Sequence, residues 1–303
     1  MVRRTSFKKE TAQDRVFIAI NSILLAVVFL SVAYPLLFIL SASISSPDSL
    51  YRGEVWLFPK AITFEGYTRV MANKEIWMGY RNTVFYTVFG TLINLSVIIP
   101  CGYVLSRKEY RFRTPITILF TFTMFFSGGL IPTYLVVDSL GLINTVWALL
   151  LPRAANMVYI IIARTYIKSN IHDSLWESAA MDGCIHTRFL LQIVLPLSKP
   201  IIAVLALFCG VIHWNSYFNA LIYLSNRELV PLQLILREIL IINDMGASEM
   251  MSIDDAQIAA RMLRLKDLVK YAVMVVSALP LLVAYPFLQK YFATGVMMGA
   301  IKG

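Results

Sequence analysis

The stretch Trp176–Pro196, WESAAMDGCIHTRFLLQIVLP, decides how this chain is read: it is polar and helix-prone, yet it is wedged between two apolar runs of membrane length. Ala179 and Ala180 make a small-residue surface behind Glu177, with Trp176, Ser178 and Asp182 around it. Gly183 interrupts the helix, and Ile193, Leu195 and Pro196 lead into the next apolar run. A short helix with a flat small-residue face and a flanking carboxylate is what a membrane protein needs to dock a soluble partner in a surface groove.

Working outward, composition fixes the solvent. Hydrophobic residues are 58% of 303 and charged residues 15%, and the mean hydropathy is +0.69, far from an ordinary soluble domain. A transmembrane helix needs roughly 20 apolar residues. Six such runs are present: Val16–Ser41, Thr83–Leu105, Pro115–Val136, Thr145–Ile167, Ile201–Tyr223 and Leu268–Tyr291. Sustained helix-length runs exclude a transmembrane β-barrel and predict an all-α membrane protein with six transmembrane helices. The first run is about twice the usual signal-peptide core of 7–15 residues, so it reads as an uncleaved helix.

Basic residues set the orientation. Arg3, Arg4, Lys8, Lys9 and Arg15 precede the first run, and Arg107, Lys108, Arg111 and Arg113 crowd the turn between the second and third, whereas Asp138–Asn144 has no Lys or Arg. Both termini, the basic turn and the Glu177 loop are therefore expected in the cytoplasm, with Ser45–Tyr80 and the acidic segment Ser225–Asp267 outside. The expected organisation is a cytoplasmic tail 1–15 and a membrane domain 16–294, followed by a cytoplasmic tail 295–303. Within the membrane domain the core is 82–291, the polar loop 168–200 and the outer loop 225–267. The formal charge of +9 reflects topology and attraction to lipid headgroups. The basic residues are split among short membrane-flanking loops, which speaks against nucleic-acid binding.

Catalytic and metal chemistry finds little support. Cys101, Cys184 and Cys209 have no metal-ligand spacing and read as free thiols, and His172, His186 and His213 are scattered. No G-x-x-x-x-G-K-[ST] occurs, so the chain cannot hydrolyse ATP, and an ATP-driven motor would be a separate polypeptide.

Several runs are interrupted. Gly128, Gly129 and Pro132 stand inside the third run, where consecutive glycines plus proline can make a flexible break near the outer face, a candidate hinge. Pro35, Pro100, Pro152, Pro280 and Pro286 read as kinked packing. Polar residues at membrane depth are costly and informative. The fifth run carries Trp214, Asn215, Tyr217 and Asn219, with Asn215 and Asn219 on one helical face, and the fourth carries Arg153, Asn156 and Tyr159 roughly one turn apart. Amides with aromatics suit sugars, whose hydroxyls take hydrogen bonds and whose apolar faces stack on rings. Interhelical hydrogen bonding is the competing explanation for each residue taken singly. Arg153 could instead snorkel to the headgroups. After the fifth run, Leu232, Ile235, Leu236, Ile239 and Leu240 repeat at helical spacing, an amphipathic element that lies on the membrane or packs on the helices. Asn243–Ser248 then reads as a turn.

The loop also resembles the EAA loop of permease subunits of ATP-driven importers: E-A-A-x-x-x-G, nine residues, then I-x-L-P, with Ser178 replacing the usual alanine. More widely, the chain resembles a carbohydrate-type ABC importer permease, the group containing the second maltose permease subunit. It looks closer to the branch handling aldouronates, lipo-sugars and alginate fragments. Carrying this are Phe125–Leu135 (FFSGGLIPTYL), Gly141-Leu142 with Asn144-Thr145, Trp214-Asn215, Pro231–Leu234 and the closing Gly299–Gly303.

The resemblance implies a type I ABC importer permease (MetI-like) fold with a cytoplasmic EAA coupling helix, in a bacterial cytoplasmic membrane. It implies a heterodimer with a second, homologous permease subunit, two ABC ATPase subunits that use ATP and Mg, an extracytoplasmic solute-binding protein and a sugar substrate. No cofactor or metal is expected on this chain. Trp176–Ala180, Asp182 and Gly183 would couple to an ATPase, and Gly299, Lys302 and Gly303 would reach between the ATPases. Asn243, Asp244, Met245 and Gly246 would meet the binding protein. An amino-acid, peptide or ion importer shares the EAA loop and stays open as an alternative. An ion-coupled secondary transporter would need buried carboxylates and repeated halves, which the sequence lacks.

Overall fold

The computed structural model describes residues 11–245, 268–283 and 286. Among the described residues the regular structure is helical throughout. The chain divides into two units, Met1–Val70 with Asn243–Val275, and Met71–Ile242 with Val276–Gly303.

The first unit is dominated by α1, Ala12–Ser43. Thr11 and Asp14 form a capping box at its start, in which each side chain satisfies a backbone N–H of the other's end. At 1.5 Å per residue such a helix is roughly 48 Å long, more than enough for a hydrocarbon core of about 30 Å. Its apolar side chains, Phe17, Ile20, Leu24 and Phe29 among them, are exposed, as a lipid-facing helix requires. Only Ser41, Ala42 and Ser43 are buried. There Ser41 donates to the Leu57 carbonyl at 2.6 Å, and Ser43 meets the Tyr67 hydroxyl at 2.8 Å. These contacts hold α1 against the segment carrying α2 (Pro47–Tyr51) and α3 (Glu65–Ala72).

The second unit is built around α4, Lys74–Ser106, capped by Asn73. It is followed by α5 (Arg113–Phe125), α6 (Leu130–Ser139), α7 (Trp147–Leu150) and α8 (Met157–Asn170). Next come α9 (Asp173–Met181) and α10 (His186–Phe189), which runs through a π-helical turn, Leu190–Val194, into α11 (Leu195–Leu197). The unit continues with α12 (Lys199–Trp214), α13 (Phe218–Tyr223) and α14 (Leu232–Met245). The core lies where α8 and α12 pack on α4: Ile98, Ile99 and Leu105 meet Ile160, Ala163, Leu205 and Cys209. Two glycines permit the close approach. A Cβ at Gly102 would stand 2.8 Å from Ala163 Cβ, and one at Gly90 would stand 2.4 Å from the His213 ring.

α1 and α4 are long and apolar enough to cross a membrane, and the described chain reaches four such spans if each bent helix pair counts as one. They cover the expected runs Val16–Ser41 and Thr83–Leu105, and helix Leu268–Val283 covers the described part of the last. The other three expected runs are broken. α5 and α6 are bent by 117° at Phe126–Gly129, the break anticipated from Gly128 and Gly129. The fourth run is not one helix from Thr145 to Ile167, because residues 151–156 turn and Asn156 restarts the chain as the cap of α8. The fifth run breaks at Asn215–Tyr217, between α12 and α13.

Candidate functional site

The Glu177 stretch folds as α9. Asp173 sits in its first turn, where a carboxylate meets the positive end of the helix. Gly183 ends it at φ +76°, with backbone bonds from Gly183 N to Ala180 O at 3.0 Å and Cys184 N to Ala179 O at 2.9 Å. Nothing lies within 4 Å of a Cβ built there, so the left-handed backbone, not crowding, calls for glycine.

α9 is pinned to its neighbours by a run of rings. The Trp176 indole stacks on the His186 imidazole with centroids 3.9 Å apart and meets Phe189 edge-on at 5.1 Å. The Tyr103 hydroxyl lies 2.9 Å from His186 Nδ1, and the Arg107 guanidinium covers the Tyr103 and Phe189 rings at 5.1 and 5.9 Å. Outside these rings, Lys108 Nζ pairs with Asp173 at 2.7 Å. Hydrogen bonding to Lys108 holds the Asp173 carboxyl below its ordinary range, and the same bond raises Lys108. The C-terminal end of α4 is thereby tied to α9.

The small-residue surface is divided. Ala179 packs inward on the cluster of Ile167, Ile171, Phe189 and Val194, while Ala180 stays outside with Glu177, Ser178 and Asp182. The helix has two faces, and adjacent residues fall about 100° apart. The outward face also holds apolar groups, Met181 at 89% and Ile185 at 67% exposure. Sequence reasoning missed this apolar rim and the His186, Tyr103 and Arg107 support.

The candidate pathway residues are partly scattered. Asn156 caps α8 by accepting from Tyr159 N at 3.2 Å, and the Tyr159 ring stacks on Phe208. Trp214 is 4% exposed, and its indole N–H finds no acceptor among the described residues. Asn215 and Asn219 do not share a helical face, since α12 ends at Trp214 and α13 begins at Phe218. Asn215 donates back to the Val211 carbonyl at 2.9 Å, satisfying the end of its own helix. Asn219 instead accepts from Arg153 Nη2 at 3.5 Å, and Tyr217 lies under Arg237, 5.2 Å from its guanidinium carbon. Arg153 and Asn156 are not a turn apart on a helix, because residues 151–156 are not helical. A polar link the sequence did not suggest joins this region: His213 Nε2 lies 3.1 Å from Asn94 Oδ1, and Asn94 Nδ2 donates to the Arg153 carbonyl at 3.0 Å.

The candidate hinge residues sit at the bend. Gly129 caps α6 at φ +85° and Pro132 lies in its first turn, while Thr133 donates to the Gly129 carbonyl at 2.7 Å. The amphipathic element is α14, and it packs on α4 rather than lying free: Leu232, Leu234, Ile235 and Leu236 are buried. Thr83 accepts from Leu232 N at 2.8 Å, and Asn82 and Tyr86 donate to carbonyls of the preceding turn. The backbone of Asn243, Asp244 and Met245 continues α14, so the expected turn does not start at Asn243. Gly246, Gly299, Lys302, Gly303, and the side chains of residues 243–245 lie outside the described residues. Cys101, Cys184 and Cys209 are free, and no group of three or more His, Cys, Asp or Glu gathers among the described residues.

The second unit thus joins a helix of membrane length, α4, to a polar helix, α9, pinned beside its C-terminal end. No family model matches the chain. Protein LplC of Bacillus subtilis (strain 168) is 37% identical over 293 residues, 97% of this chain and 97% of that protein. The polygalacturonan/rhamnogalacturonan transport system permease protein YtcP of the same organism is 38% identical over 269 residues, covering 89% and 92%. A solved structure, of a bacterial ABC transporter involved in the import of the acidic polysaccharide alginate, matches with a TM-score of 0.84 and 35% identity over 94% of this chain and 99% of that one. The chain belongs to the ABC transporter permease family of these relatives. It is an integral membrane transport subunit and not an enzyme, and membership implies ATPase and binding-protein partners.

Proposed function

We propose that this chain is a permease subunit of a binding-protein-dependent ABC importer that carries a carbohydrate, an oligosaccharide, into a bacterial cell. The relatives that handle polygalacturonan/rhamnogalacturonan, alginate and galactooligosaccharides support the cargo class. In this reading the chain crosses the cytoplasmic membrane six times with both termini inside, pairs with a second, homologous permease, and binds no cofactor. ATP and Mg are used by two separate ATPases. α9 is the cytoplasmic coupling helix that seats in one ATPase, and closure of the ATPases turns the pathway from inward- to outward-facing. Gly299, Lys302 and Gly303 would touch the ATPases, and Asn243–Gly246 the binding protein.

The observation that carries the coupling role is α9 itself: Glu177, Ala180 and Met181 face outward from a helix whose other face is fixed by Trp176 on His186. A knob that transmits force needs both a free face and a rigid mount. Glu177→Arg and Gly183→Val in the assembled importer are expected to abolish uptake while the permease still inserts. Unchanged uptake and unchanged ATPase association in both variants would remove the coupling role.

A further inference from the structure

We propose that the break between α12 and α13 is a recognition site for the carboxylates of an acidic oligosaccharide, with Arg153 and Arg237 as its cationic residues. The inference rests on the carbohydrate reading above and adds the charge of the cargo. The break leaves Tyr217 and Phe218 exposed, at 41% and 46%, their rings edge-to-face at 6.3 Å. Arg237 lies 5.2 Å over the Tyr217 ring, and Arg153 reaches Asn219 Oδ1 at 3.5 Å. Two guanidinium groups therefore flank three consecutive exposed or half-buried side chains.

Neither guanidinium pairs with a carboxylate among the described residues. The acidic neighbour of Arg237 is already committed: Glu238 pairs with Arg227 at 2.5 Å, as does Glu75 at 3.1 Å. Arg153 is exposed in the non-helical segment 151–156, and the side-chain partner of its guanidinium among the described residues is a neutral amide. Arginine offers a planar fork that matches a carboxylate bidentately, and an exposed ring offers a face to the apolar side of a sugar. A neutral sugar would be served by the amides and rings alone. A uronic-acid residue presents the carboxylate and the ring face together, as this juxtaposition requires.

The test uses the whole importer, with its ATPases and binding protein, in proteoliposomes. Uptake of trigalacturonate and trimannuronate is compared with uptake of their methyl esters. The wild type is expected to favour the acids, and Arg153→Gln and Arg237→Gln each to lower the acid-to-ester ratio about tenfold or more. Arg153→Lys, which keeps the charge without the fork, is expected to retain part of the preference. An unchanged ratio in both glutamine variants overturns the proposal, as does a parallel loss of acid and ester, the mark of an arginine anchored to lipid phosphate. A wild type that carries esters or a neutral galactotriose as well as the acids overturns it with no variant needed, and leaves the carbohydrate reading standing. A wild type that carries none of these sugars removes the carbohydrate reading and this site with it.

Discussion

Replacing Trp176 with alanine should loosen α9 without disturbing the membrane core. The substitution removes two ring contacts, the 3.9 Å stack on His186 and the 5.1 Å edge contact to Phe189. Each aromatic pair contributes about 0.5–1.5 kcal/mol beyond area burial, so the two together hold α9 by about 1–3 kcal/mol. At 1.4 kcal/mol per tenfold change, its detached population should rise about 5- to 150-fold. The Lys108–Asp173 pair remains but is exposed and offsets little. Hydrogen exchange on the purified permease reads this directly. Amides of Leu175–Met181 should exchange faster by that factor, while those in the middle of α4, buried among α8 and α12, keep their protection. Trp176→Phe should restore part of the loss. Unchanged exchange in α9 would refute the idea that the stacked rings mount this helix.

Three further outcomes are expected. Gly90→Val should lower the thermal midpoint in detergent, since even its Cβ would stand 2.4 Å from the His213 ring and overpacking costs about 1–3 kcal/mol; an unshifted midpoint would show that the helices separate freely there. Gly129→Ala should cost about 1–3 kcal/mol through its backbone alone, φ +85° with ψ −173° being a region essentially reserved for glycine, because nothing lies within 4 Å of the added methyl, and Gly128→Ala should cost less; equal effects in a denaturation series would contradict the backbone explanation. The Asp173–Lys108 contact has opposite signs at its two ends. Asp173 is lowered from 3.8, so its contribution is present above that value and is lost as pH falls through the folded value; Lys108 is raised from 10.5, so its contribution is present below that value and is lost as pH rises past it. Protection of the first turn of α9 should thus be flat across neutral pH and weaken at the acid end, and an inflection near neutrality would contradict this assignment.

The apolar runs announced a helical membrane chain, because a bilayer demands length and hydrophobicity from every span and both are properties of composition. Breaks were legible only where backbone chemistry is written in residue type. Gly128-Gly129 marks the bend before α6 since few other residues accept φ +85°. The turn at 151–156 was marked by Pro152, but a proline in a membrane helix serves equally as a kink and as a break; the break at Asn215–Tyr217 carries no comparable mark, as asparagine serves equally as a helix surface residue and as a cap. That ambiguity placed Asn215 and Asn219 on one face. Long-range pairs were invisible for a different reason. Asn94 and His213 are 119 residues apart, and a lone histidine or amide in an apolar run does not name its partner. In the α9 loop, Gly183 was readable, whereas the mount made by His186, Phe189, Tyr103 and Arg107 depends on how α4 and α10 meet.

The central claim is that α9 is the surface on which the motor pushes. Met181→Cys, in a chain with Cys101, Cys184 and Cys209 replaced by serine, places one thiol at the most exposed point of that surface. Labelling with a membrane-impermeant maleimide should succeed in inside-out vesicles stripped of the ATPase, fail in intact cells, and be blocked when the ATPase is added back. Labelling from the outside of intact cells, or labelling that the ATPase does not block, would contradict it.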